Sequence, residues 1–259
     1  MLSGDVYNEQ IARYEFASDY VSKRILNITN FRFLEYFSSK LLLEKNVTEI
    51  VSGYKNEGNS EYTLRWKNKE NSMKFEIVNE NNVFKENSFD GVILFETIQH
   101  EENQKEMLKR IYKLLKNDGI LIISTTNKKS SHGRYNMTKN KINKELDKEE
   151  LLELLKEVFS KVDLFTQNIL NYKQENKQKE ENDEKKLNKI RWLIHQVRLN
   201  IFTGLRMYNV YRLFFSDTIS SKTKKEIENY TLNIQNTKYF PKPYVNDEQP
   251  LFFVAVCHK

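Results

Sequence analysis

The 259 residues include 42 Lys and Arg against 36 Asp and Glu, a net charge of +6, with the two signs interspersed and no basic and aromatic stretch of the kind that grips nucleic acid. Hydrophobic residues make up 39%, with 16 Phe and 14 Tyr, which is enough for a sizeable core, while no apolar run approaches the roughly 18 residues of a membrane span. One cysteine excludes an internal disulfide, the four His and one Cys show no metal-ligand spacing, and the start MLSGDVYNEQ lacks the pattern of a signal peptide, so a cytoplasmic protein without a metal is expected.

Asn8 to Val21 places Ile11, Tyr14, Ala17 and Val21 at the spacing of an amphipathic helix, whose polar face is expected to meet water or ligand. Arg24 to Ile28 reads as a first strand, Phe31 to Leu43 as a helix, Val47 to Val51 as a second strand and Met73 to Val78 as a third. Gly91 to Phe95 is a continuous apolar run, as in parallel strands buried on both faces. Met107, Leu108, Ile111, Leu114 and Leu115 form a helical stripe over Gln104 to Leu115, which Asn117-Asp118-Gly119 ends before another buried strand, Ile120 to Ser124.

Farther on, Asp147 is placed to cap a helix with the stripe Leu151, Leu154, Leu155 and Val158, and Val162 to Phe165 reads as a strand. Asn171 to Lys186 is almost wholly polar and reads as a linker. Leu187 to Phe215 is apolar, arginine-bearing and helical in pattern, open to use as a lid, a dimer surface or a membrane-surface element; its apolar residues lie nearly all round, which favours burial. Pro250 to Val256 is a final strand. Alternating strands and helices predict a doubly wound α/β sheet in one domain, residues 1–170 plus 231–259, with 171–230 as linker and helical insertion.

Asn87 to His100 (NSFDGVILFETIQH) followed by Leu114 to Asn127 (LLKNDGILIISTTN) resembles the class I S-adenosylmethionine (SAM)-dependent methyltransferases, in their broad type 11 group. Phe89-Asp90 matches the aromatic-Asp pair that opens the family's fourth strand, and Glu96 and His100 match the Glu and His that follow it. Arg13 to Ile28 (RYEFASDYVSKRILNI) is similar to the lead-in helix and first strand of members encoded among surface-polysaccharide genes, and the similarity extends through Glu149 to Val158 and Val162 to Asn168. The resemblance implies a Rossmann-like, mostly parallel seven-stranded sheet with Leu251 to Val256 antiparallel beside Val162 to Phe165. It also implies SAM as cofactor and a glycan or small-molecule hydroxyl as methyl acceptor.

The family's cofactor turn is Asp-x-Gly-x-Gly, whose glycines give the backbone clearance to approach the ligand. Here it reads Asn27-Ile28-Thr29-Asn30-Phe31, and Ser52-Gly53-Tyr54-Lys55 ends the second strand without a carboxylate for the ribose. Gln99 stands where the family has Glu, and Asn143 near where glycan-cluster members have His. By resemblance, the cofactor contacts fall to Arg13, Tyr14, Asn27, Thr29, Tyr54, Asn79, Glu80 and Phe95, and the catalytic groups are His100 and Glu96. His100 reads equally as a helix cap, Tyr14 equally as core, and His132 lies in a polar loop. Two functions follow: a methyltransferase with a weakened SAM site, or a degenerate methyltransferase-fold subunit that binds or stabilises a partner, either of them open to forming a homodimer.

Overall fold

The computed structural model describes residues 4–29, 35–54, 62–69, 72–78, 84–130, 144–169, 239–246 and 249–259. The linker Asn171 to Lys186, the helix Leu187 to Phe215, and His132 and Asn143 lie outside them. The chain runs α1 (Gly4–Ala17), β1 (Lys23–Thr29), α2 (Glu35–Leu43), β2 (Val47–Tyr54), β3 (Tyr62–Lys69), β4 (Ser72–Val78) and β5 (Phe89–Phe95). It continues through α3 (Gln104–Leu114), β6 (Leu115–Thr126), α4 (Lys148–Lys156), β7 (Lys161–Ile169), β8 (Lys242–Pro243) and β9 (Pro250–His258).

Among the described residues, nine strands form one sheet in the order β4-β3-β2-β1-β5-β6-β9-β7-β8. β2, β1, β5 and β6 pair in parallel, and β4 and β7 point the same way through antiparallel neighbours. With β9 reversed between β6 and β7, these are the seven expected strands and the expected antiparallel last strand. Two strands are added: β3, between β2 and β4, and the two-residue β8 at the edge.

The apolar strand runs are explained by burial on both faces. Along β1, β5 and β6, Leu26, Val92, Leu94, Leu121 and Ile123 pack against α3 and α4 through Leu108, Ile111, Leu151 and Leu155. The alternate residues Ile25, Ile93 and Ile122 pack on the other face with Tyr14 and Ala17 of α1 and Leu42 of α2. Each fully buried side chain of this size contributes about 1.5–3 kcal/mol. α4 begins at the expected cap: Asp147 accepts from the Glu150 backbone N–H at 3.0 Å, and Glu150 accepts from the Asp147 N–H at 2.9 Å.

Two local expectations are corrected. The Asn117-Asp118-Gly119 turn does not separate helix from strand: β6 starts at Leu115, and Lys116 to Gly119 bulge out between the pairs Phe89–Leu115 and Gly91–Ile120. The Lys116 ammonium reaches Asp90 at 2.8 Å from this bulge, and a Cβ on Gly119 would meet the Lys116 carbonyl at 2.9 Å. The polar face of α1 is also not open. Asn8, Glu9, Gln10, Arg13 and Glu15 are all buried; Glu15 pairs with Lys45, just past α2, and Arg13 finds the partners described below.

Candidate functional site

From β1 the chain builds outward through β2 to β4 and then crosses to β5 on the other side, so the carboxyl ends of β1 and β5 flank the sheet's switch point, where open α/β sheets bind ligands. Phe95 ends β5, and Glu96 follows with φ of 49°. This left-handed conformation costs about 1–2 kcal/mol for a residue with a Cβ, and it is tolerated where surrounding contacts over-determine it. Thr97 fixes the turn: its hydroxyl donates to the Phe95 carbonyl at 3.0 Å and reaches the Ile28 carbonyl of β1 at 3.5 Å.

The Glu96 carboxylate is the centre of a buried network. Oε1 accepts from the Ser124 hydroxyl of β6 at 2.8 Å and faces Nη1 of Arg13 at 3.2 Å, while Oε2 accepts from the Gln99 amide at 3.1 Å. Gln99 in turn accepts from the Thr125 hydroxyl at 3.3 Å. Arg13 donates through Nε to Gln167 Oε1 at 2.5 Å, and its guanidinium lies 4.2 Å from the centre of the Phe252 ring. Gln167 Nε2 donates to the carbonyls of Glu9 and Tyr239 at 2.8 and 2.5 Å. One end of the Gln167 amide meets an N–H and the other meets two carbonyls, so its orientation is settled. Arg13, Glu96, Gln99, Ser124, Thr125 and Gln167 are all buried, and the charge pair neutralises itself. With both carboxylate oxygens engaged, Glu96 ties α1, β6 and the turn after β5 together at the switch point.

On the β1 side, the Tyr14 hydroxyl donates to Asn27 Oδ1 at 3.1 Å, and the Tyr14 ring meets Phe95 edge-on at 5.0 Å. Asn27 is fully buried, and its Nδ2 has no hydrogen-bond partner. The fold therefore brings Arg13, Tyr14, Asn27, Phe95 and Glu96 together. Arg13 is turned inward to Glu96 and Gln167, and Phe95 is fully buried in the core. Thr29 and Tyr54 are the last residues of β1 and β2, opposite Phe95 and Tyr62. His100 ends a short 3₁₀ turn, Ile98–His100, and is exposed; the cap of α3 is Asn103. Asn79, Glu80, Asn30 and Phe31 lie outside the described residues.

Sequence reasoning missed Ser124, Thr125 and Gln167 as site residues and read Gln99 only as a departure from the family. Their signal is positional: Ser124 is the first polar residue after the apolar run Ile120 to Ile123, reached where the strand arrives at its carboxyl end. Among the described residues, no cluster of His, Cys, Asp and Glu could hold a metal, and no helix is long and apolar enough to cross a membrane.

Residues 43–123 match the family profile described as a methyltransferase domain. Among solved structures, the chain is similar to a SAM-dependent methyltransferase from Archaeoglobus fulgidus, at 15% identity and a TM-score of 0.50, over 99% of this chain and 95% of that one. It is also similar to a SAM-dependent methyltransferase from Thermotoga maritima described as a possible histamine N-methyltransferase, at 12% identity and a TM-score of 0.43, over 98% and 92% of the two chains. No curated protein sequence matches the chain. The fold is that of the SAM-dependent methyltransferases.

Proposed function

We propose that the chain binds SAM weakly at the carboxyl ends of β1 and β2 and directs methyl transfer to a hydroxyl of a glycan or small-molecule acceptor near the ends of β5 and β6. The observation that carries this reading is Glu96: a left-handed backbone and a buried, fully engaged carboxylate at the switch point of a methyltransferase fold. Such strain and polarity are retained at sites that do more than hold the fold. The described residues fit the cofactor in part, because Asn27 offers a buried free donor to a ligand rich in hydroxyl and carboxylate oxygens, but no described carboxylate ends β2.

SAM supplies a methyl group already activated on a sulfonium, so the protein's task is placement rather than strong acid-base work. The Arg13–Glu96 pair holds Gln99 and Ser124 in place, and in this reading the exposed His100 takes the acceptor's proton. The reading places the protein in the cytoplasm, acting alone, as a homodimer or beside a partner enzyme.

A second reading, a non-catalytic subunit that binds or stabilises a partner, is favoured by the same closed network, in which Arg13 and Glu96 serve each other. Incubation with methyl-labelled SAM and a panel of sugars and small alcohols separates the two. Incorporation that falls about 10²-fold or more in His100→Ala supports the enzyme; a folded protein that labels no acceptor supports the subunit.

A further inference from the structure

The sheet has two edges, β8 and β4, and they are finished differently. β8 is two residues long and exposed, and it consists of Lys242 and Pro243, a charge and a residue without an N–H, both of which discourage a further strand. β4 runs for seven residues, Ser72-Met73-Lys74-Phe75-Glu76-Ile77-Val78, with no proline or glycine, and among the described residues no strand pairs with its outer side. Such an edge offers a row of backbone donors and acceptors to a further strand. Alternation places Met73, Phe75 and Ile77 on the face of their ladder partners Asn68, Trp66 and Leu64, and places Lys74 and Glu76 on the other face with Lys67 and Arg65.

We infer that β4 is the edge at which two copies of this chain join, antiparallel and centred on Phe75, so that their sheets become one. A two-fold axis normal to the sheet keeps each face on its own side, so the allowed antiparallel registers are those in which one residue meets its own copy. Centred on Phe75, the pairing sets Lys74 against Glu76 of the second copy and Glu76 against its Lys74, with Met73 opposite Ile77 on the apolar face. Centred one residue earlier it would set Lys74 against Lys74, and one residue later Glu76 against Glu76. Like charges directly opposite each other are destabilising, so the sequence of β4 selects one register and rejects its neighbours on both sides. Lys74 also lies opposite Lys67 in its own ladder, and Glu76 of the second copy supplies the opposite charge that this ladder lacks. A strand complementary to itself fits an isologous contact between identical chains, which is why the occupant is a second copy. The join lies at the far side of β3 and β2 from β1, so each copy keeps its own switch point, and the dimer does not depend on SAM binding.

The experiment is sedimentation velocity of the full chain and of Glu76→Lys, Lys74→Glu and the double exchange, together with oxidative crosslinking of Phe75→Cys and Met73→Cys. The wild type sediments as a dimer at about 50 μM. Each single reversal weakens the dimer by about 10- to 100-fold, and the double exchange, which restores opposite charges at both places, recovers it; recovery separates lost pairing from damage to the strand. Phe75→Cys gives a disulfide-linked dimer, because the residue meets its own copy across the axis with Cα atoms about 4.5–5.5 Å apart, within disulfide reach. Met73→Cys, set against Ile77, does not, and Cys257 is buried and does not compete. A wild-type chain that stays monomeric at that concentration overturns the inference. A dimer that survives Glu76→Lys unchanged, or a double exchange that fails to restore it, overturns it as well. Crosslinking of Met73→Cys as readily as Phe75→Cys overturns the register centred on Phe75.

Discussion

Replacing Arg13 with alanine breaks the charge pair at the switch point and exposes the energetic role of the network. Arg13 is 1% exposed and Glu96 6%, so the relevant comparison is a buried pair, not a surface one worth under about 1 kcal/mol. Removing one partner of a buried pair costs about 3–5 kcal/mol, because the other charge stays in the interior uncompensated. The lost stacking over Phe252 adds about 0.5–1 kcal/mol. Gln167 Oε1 also loses its donor. For a chain of this size the total of about 3.5–6 kcal/mol corresponds to a melting temperature lower by roughly 7–24 °C.

The assay is thermal and urea unfolding of wild type, Arg13→Ala, Glu96→Gln and the double variant Arg13→Met with Glu96→Gln. The double variant should recover much of the loss, since it leaves no lone charge, and its deficit should be smaller than the sum of the single changes. If Arg13→Ala costs under about 1 kcal/mol, water reaches the pair and the buried-network argument fails.

Three further outcomes follow from the local geometry. Asp147→Ala should lower stability by about 1 kcal/mol through loss of the α4 cap. The Glu150 backbone N–H holds the Asp147 carboxyl below the ordinary carboxylate range, so its contribution is present above the unfolded pKa and is lost as pH falls through the lowered folded value; Asp147→Asn should flatten the acid limb of a stability-pH curve, and an unchanged limb would contradict this. Burial pushes the Cys257 thiol well up, so a thiol reagent at neutral pH should modify it only at the rate of unfolding, and rapid labelling of the native protein would contradict its place in β9.

The central strands were legible because burial on both faces writes a continuous apolar run, as in Gly91 to Phe95 and Ile120 to Ser124, and β9 was legible for the same reason. β3 was not anticipated. It alternates Tyr62, Leu64 and Trp66 with Thr63, Arg65 and Lys67, and lacks the apolar run that marks its neighbours. The candidate site was legible one residue at a time, through Arg13, Asn27 and Glu96, but its connections were not. Arg13 and Gln167 are 154 positions apart, and the packing of α1 on β7, where Phe16 meets Phe165, brings them together. The amphipathic pattern of α1 suggested an open polar face because helical spacing distinguishes apolar from polar positions, but not polar residues with buried partners from polar residues in water.

Titration of the purified chain with SAM and with S-adenosylhomocysteine by calorimetry tests the central claim most directly. The account predicts saturable binding of both, weaker than about 100 μM, because Asn27 stands in place of the acid and no described carboxylate ends β2. Heats indistinguishable from dilution up to millimolar ligand would contradict a SAM-binding function and leave the partner-binding subunit.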